Sequence, residues 1–320
     1  MQTRASRRGF IRNAGMAVSG LIATVHPLSG AAAAPQAQPP LRTSMGSRLR
    51  ALVEGPDTFE CLGVHDILTA RLVEIHGFPS VFIGGSTVAS NGHALRDNGL
   101  VSTPELIEFA AGITANIDIP ALADADDAGG TPLDVYRNAR AFERASVGGV
   151  SYEDRIRSER LKGNTQVCST ADMVDRIHAA KDAAPDLVIV VRTESLGAGL
   201  SMEETLERGM AFAEAGADML FFAGMRIDDF PRAVDTVNIP LYGSFNVPLA
   251  RAREVGVKLH AHTSTLRGIA MGAVHNALLE LEATGLMTNA ERNSLPGSIQ
   301  ARLTRNEEFS ERSRRYNMTR

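Results

Sequence analysis

The chain has 320 residues, 44% hydrophobic and 22% charged, which suits one large α/β domain or two ordinary ones. A formal charge of −4, the absence of tryptophan and the lack of a basic block in the body argue against a nucleic-acid partner. No stretch after residue 40 is apolar for long enough to cross a bilayer.

The first 40 residues read as a segment apart. Arg7 and Arg8 precede the apolar run "AGMAVSGLIATV", which gives way to the small-residue, proline-containing "SGAAAAPQAQPP". A charged start, a short apolar run and an Ala-rich exit form the layout of a secretory signal. The paired arginines followed by Gly9, Phe10 and Ile11 mark it as a twin-arginine signal. The expectation is export to the periplasm or the extracellular space, with no membrane association after cleavage. Cys61 and Cys168 are the only cysteines, too few for a disulfide framework or a thiolate metal site.

After residue 45, short apolar runs alternate with amphipathic helical stretches. Strands are predicted at roughly 58–64, 80–84, 119–124, 148–152, 187–192, 218–222, 239–242 and 257–261, each followed by a helix such as "DILTARLVEIHG" or "SMEETLERGMAFAEAGA". Eight strand–helix units predict a (β/α)8 TIM-type barrel over 41–285, an α/β fold. An open doubly wound sheet is the structural alternative, but no GxGxxG follows the first strand. Residues 286–320 form a polar helical extension, basic near its end, which either docks on a partner subunit or frays.

A barrel carries its chemistry where its strands end. Strand two ends in "GGST", strand three in "DADD", strand four in "YED", strand five in "RTE", strand seven in "YGSFN" and strand eight in "HAH". Asp124, Asp126 and Glu153 offer hard oxygen ligands suited to Mg²⁺ or Mn²⁺ rather than zinc. Gly84 and Gly85 bare the backbone for a substrate carboxylate. Arg192 supplies a fixed fork for such a group, and Glu194 beside it reads as its rim ion-pair partner. His262 is a candidate proton shuttle, although it and His260, on one face of the strand, also read as rim residues. Asp127 reads as a loop residue and Asp154 as a partner of the loop.

Taken together, "GVHDILTARLVEIHGFPSVFIGGS", "ALADADDAGG", "VSYEDR", "VIVVRTES" and "AFAEAGADMLFF" resemble the isocitrate lyase / phosphoenolpyruvate mutase superfamily over most of 46–285. The resemblance implies a barrel whose C-terminal helix is swapped in a homodimer or homotetramer. It implies chemistry next to a 2-oxo acid through a Mg²⁺-stabilised pyruvate enolate. It assigns Asp97, Asp124, Asp126 and Glu153 to the metal, Arg192 to the substrate clamp, and Gly84, Gly85 and Ser86 to the substrate carboxylate.

Two departures stand out. Asp127, Ala128 and Gly129 replace a common TGYG segment, and the loop "RIRSERLKGNTQ" has Leu161 where the isocitrate and methylisocitrate lyases place a cysteine. The oxaloacetate decarboxylase-like members, with "GGS", no loop cysteine and a histidine near the end of strand eight, are the nearest subgroup. The expected substrate is therefore a small 2-oxo or 2-hydroxy dicarboxylate. The alternatives are a methylisocitrate- or dimethylmalate-type lyase, a phosphonopyruvate enzyme, and a non-catalytic metabolite-binding barrel.

Overall fold

The computed structural model describes residues 43–318, so the twin-arginine signal expected in the first 40 residues lies outside the described residues. Eight parallel strands close in sequence order into a barrel. They are β1 (Phe59–Gly63), β2 (Ser80–Ile83), β3 (Ala121–Asp124), β4 (Gly149–Glu153), β5 (Val188–Thr193), β6 (Met219–Phe222), β7 (Leu241–Gly243) and β8 (Val257–His262). Every strand expected from the sequence is present, because each is a short apolar run bounded by polar or glycine-containing turns.

The helices are α1 (Met45–Glu54), α2 (Ile67–Ile75), α3 (Gly85–Thr87), α4 (Thr103–Thr114), α5 (Pro132–Arg144), α6 (Arg157–Leu161), α7 (Thr170–Ala183), α8 (Met202–Glu214), α9 (Phe230–Val237), α10 (Leu249–Glu254) and α11 (Thr265–Thr284), followed by α12 (Thr288–Arg292), α13 (Gly297–Leu303) and α14 (Asn306–Arg315). Their starts carry the signals that the backbone requires. Ser102 and Glu105 form a capping box on α4, and Ser201 and Glu204 form one on α8. None of these helices is long and apolar enough to cross a membrane.

Side-chain alternation along the strands builds two cores. Inside the barrel pack Phe59, Cys61, Phe82, Leu122, Val188, Val190, Met219, Tyr242, Leu259 and Ala261. Outside, Leu62, Val81, Ile83, Val150, Val191 and Leu220 meet the helical layer. Helix α1, which the strand–helix pattern does not announce, adds Leu49 and Val53 to the inner cluster and so closes one end of the barrel. Gly149 makes this possible: a Cβ there would stand 2.8 Å from the Leu49 Cδ2 atom.

The C-terminal stretch is helical, as expected, and breaks into α12, α13 and α14. α13 docks beside α2, where Arg71 donates to the Arg302 carbonyl at 3.2 Å. α11 behaves differently. No residue of this 20-residue helix is buried, and Ile269, Met271, Val274, Leu278 and Leu279 are all exposed.

A buried polar knot locks β4 to β5 behind the barrel rim. Asp154 accepts from the Glu194 amide at 2.9 Å, from Thr193 Oγ1 at 2.7 Å and from Arg208 Nη2 at 2.8 Å. Arg208 is the cation that balances this carboxylate. Replacing Arg208 with Met is expected to strand a buried charge and to cost about 3–5 kcal/mol, read as a lowered urea midpoint.

Candidate active site

The pocket sits at the C-terminal ends of the strands and encloses about 170 Å³. Phe82, Gly84, Ser86, Asp97, Asp124, Ser151, Arg192, Phe221, Tyr242, Ser244 and Thr263 line it. It is smaller than the pockets of about 300–1,000 Å³ that hold drug-sized ligands, which suits an acid of a few carbons.

β3 and the turn after it deliver the first two carboxylates. Asp124 ends the strand and accepts the Gly85 amide at 3.1 Å and the Asp126 amide at 3.2 Å. Asp126 adopts a left-handed backbone with φ 47°, which aspartate tolerates better than most residues and which turns its carboxylate back toward the pocket. Gly85 leaves room for this approach, since a Cβ there would lie a tight 3.2 Å from Asp124 Oδ2. Its amide is therefore engaged in fixing Asp124. Gly84 and Ser86 remain in the pocket wall.

Glu153 ends β4 and is 2% exposed, while Asp97 arrives from the segment after β2. Between these groups stands a residue that the sequence reading passed over, Arg160, on α6 in the loop after β4. Its Nη1 reaches Asp126 Oδ1 at 2.6 Å and Glu153 Oε1 at 3.1 Å, and its Nη2 reaches Asp97 Oδ1 at 2.5 Å. The available signal was a basic residue one position before Leu161, in a loop facing four acids. Arg157 of the same helix donates to the Val101 carbonyl at 2.9 Å and ties the loop across the pocket mouth.

The electrostatics follow from burial. Burial and the neighbouring Asp126 push Asp124 up to about 6, against the pull of Arg192. Burial pushes Glu153 up to about 8, although Arg192 and Arg160 oppose it. Burial also works against the charge on Arg160, but Glu153, Asp126 and Asp97 outweigh it and raise the guanidinium above its ordinary value. Glu153 Oε2 is buried with no hydrogen-bond partner. A set of hard oxygens with one left unsatisfied, held together by a protein cation, has the donor chemistry for Mg²⁺ or Mn²⁺. Asp97, Asp124, Asp126 and Glu153 are the residues that could hold it.

Arg192 lies over the Phe221 ring with 5.5 Å to the centroid, pairs with Glu194, and places Nε 3.8 Å from Glu153 Oε2. Asp127 accepts the Gly129 amide within the turn, as a loop residue does. His262 is not brought to this pocket. Ala261 faces the barrel interior, so the flanking His260 and His262 point outward from the wall, where His262 Nε2 lies 3.5 Å from Glu60 Oε1. Cys61 and Cys168 are both free and buried, and Leu161 is exposed.

Residues 49–282 match the family model described as phosphoenolpyruvate phosphomutase. A probable 2-methylisocitrate lyase of Corynebacterium glutamicum is 32% identical over 260 residues, covering 77% of this chain and 84% of that one. A phosphoenolpyruvate phosphomutase of Streptomyces hygroscopicus is 36% identical over 184 residues, covering 56% and 58%. Among solved structures, the phosphoenolpyruvate phosphomutase from Streptomyces platensis subsp. rosaceus superposes with a TM-score of 0.77 at 27% identity, covering 85% of this chain and 99% of that one.

Arg160 and a divalent cation would draw on the same carboxylate oxygens. Replacing Arg160 with Met is expected to tighten Mn²⁺ binding about tenfold, roughly 1.4 kcal/mol, measured by calorimetry without substrate. Unchanged or weaker binding would show that the guanidinium and the ion do not compete.

Proposed function

The chain belongs to the phosphoenolpyruvate phosphomutase family, and from that membership we propose that it is a Mg²⁺-dependent lyase of a small 2-oxo dicarboxylate, nearest in chemistry to an oxaloacetate decarboxylase. The carrying observation is the pocket: Asp97, Asp124 and Arg192 line a space of about 170 Å³, Asp126 and Glu153 stand behind it on Arg160, and the loop that carries Arg160 has neither a thiol nor a histidine. A divalent ion held by Asp97, Asp124, Asp126 and Glu153 would supply charge stabilisation as the carbon–carbon bond next to a 2-oxo group breaks.

The remaining work falls to side chains. Arg192, held by Glu194 and Phe221, presents its free edge to a substrate carboxylate. Phe82, Phe221 and Tyr242 line part of the pocket and limit water there. They give the departing carboxylate an apolar surface on which to become neutral CO₂. Ser151, Ser244 and Thr263 line the same space and offer hydroxyls to the proton that completes pyruvate. Neutral Tyr242, whose phenol burial pushes above its ordinary value, keeps its own proton.

The relatives named 2-methylisocitrate lyase support a second reading, cleavage of a 2-hydroxy tricarboxylate or a related malate. Leu161 and the buried Cys168 weigh against it, since neither provides a thiol at the pocket. We further propose export by the twin-arginine route, on the strength of Arg7, Arg8 and the apolar run after them. We propose a homodimer or homotetramer, because the apolar residues of α11 need cover that the described chain does not give them.

The mature protein, residues 38–320, is expected to release pyruvate from oxaloacetate with Mg²⁺, and Asp124→Ala to lower that rate roughly 100-fold or more. The mutant also corrects for the background that free metal produces. Pyruvate from 2-methylisocitrate and none from oxaloacetate would favour the second reading. Tight binding of either acid with no turnover would point to a binding protein. Light scattering is expected to report two or four chains, and Leu278→Asp to shift the mass toward one.

A further inference from the structure

We propose that Glu60, His260 and His262 form a second metal site, for a zinc-class divalent cation, on the outer face of the barrel. The site joins the first strand to the last. In the pairing of β1 with β8, Glu60 stands opposite His260 and Leu62 opposite His262. Their neighbours Cys61 and Ala261 pack inside the barrel, so these three polar side chains project to the other side of the wall. None of them lines the pocket that holds Asp97, Asp124 and Arg192. The inference therefore stands apart from the proposed lyase chemistry.

The hydrogen bonding of His260 argues for a ligand. This residue is fully buried. Its Nε2 lies 2.9 Å from the Phe245 carbonyl, which can only accept, so Nε2 carries the proton. Nδ1 is then left with a bare lone pair, and it has no partner. A histidine whose one nitrogen donates to a backbone carbonyl while the other is free is oriented as a metal-binding histidine is.

Its companions are close. One ligand atom from each of Glu60, His260 and His262 lies within 4.8 Å of the others, a closer set than the carboxylates of the pocket, no three of which meet that spacing. The His262 Nε2 to Glu60 Oε1 distance of 3.5 Å is long for a hydrogen bond. Tetrahedral ligands about a zinc ion are spaced about 3.3 Å apart, so small side-chain rotations would close the set.

Two nitrogens and one carboxylate select zinc or a similar first-row ion over Mg²⁺, the reverse of the oxygen-only pocket. Glu60 and His262 are each 26% exposed in their side chains, which leaves a path from solvent. A cavity of about 400 Å³ lined in part by Phe245, Asn246, His262 and Thr263 leaves space for a water as fourth ligand. An ion here would clamp the seam where the barrel closes, between strands that about 200 residues of chain separate.

The test uses the full mature chain, stripped with chelator and titrated with Zn²⁺ under excess Mg²⁺, by calorimetry and thermal melting. One Zn²⁺ per chain is expected, together with a rise in Tm. Asp124→Ala should keep both. Glu60→Gln and His262→Ala should weaken Zn²⁺ by more than about tenfold and abolish the Tm rise. Both residues face solvent in part, so their metal-free Tm should stay near that of the parent, whereas replacing the buried His260 risks the fold itself. No zinc binding by the parent would overturn the proposal. So would zinc that Asp124→Ala removes and His262→Ala retains, since the ion would then belong to the carboxylate pocket.

Discussion

Four carboxylates gathered at one end of a barrel repel one another, and burial deepens the cost. This repulsion is the constraint around which the upper rim is built. Glu153 is almost fully enclosed, Asp124 and Asp126 share a single turn, and Asp97 closes the group from the far side. Arg160 is the protein's own answer, one guanidinium spanning three of the four acids. Arg192 takes a second share, near Glu153 and paired with Glu194. Even so, burial leaves Asp124 and Glu153 holding protons more tightly than free carboxylates do, against the pull of Arg192.

The same sheet wall serves different chemistries on its two faces. Alternation sends Cys61, Ala261 and Tyr242 inward and Glu60, His260 and His262 outward. A shift of one residue in β8 would turn His260 and His262 inward and Ala261 outward. The register of β1 against β8 thus decides which groups meet the pocket and which meet the outer layer. Behind the rim, the Asp154–Arg208–Thr193 knot holds the ends of β4 and β5 so that Glu153 and Arg192, directly paired across the two strands, stay in place.

Much of this was legible in the chain. The eight strands announce themselves because buried parallel strands are short apolar runs, and the acids stand out because they end such runs. Arg160 joins Asp97, Asp126 and Glu153, and Asp124 accepts the Asp126 amide. The misses have physical causes. α1 buries only Leu49 and Val53 as large side chains, so its periodicity is faint, and its place under the barrel depends on Gly149 far along the chain. Arg160 lies in a polar, charged loop where nothing local separates a ligand-facing arginine from a solvated one. His262 was placed near the rim by position, but its direction depends on strand register, which a single sequence without its partner strand does not display. The bare backbone of Gly85 suggests a substrate donor, but its amide donates to Asp124, a pairing across 39 residues that local sequence does not display.

The charge balance also bears on what the pocket can receive. Among the described residues, Asp97, Asp124, Asp126, Glu153 and Glu194 face Arg160 and Arg192 as fixed cations. A dicarboxylate entering such a site adds two more negative charges to a group already short of positive ones, in surroundings too poorly solvated to screen them. A divalent cation held by Asp97, Asp124, Asp126 and Glu153 would offset that negative charge, with Arg192 left to orient one substrate carboxylate. Arg160 holds Asp97, Asp126 and Glu153 together from a short helix of the loop after β4 rather than from a strand of the wall. The acids are thus tied from two sides, by a loop residue, Arg160, and by a strand residue, Arg192, whose position is set by the β4–β5 pairing.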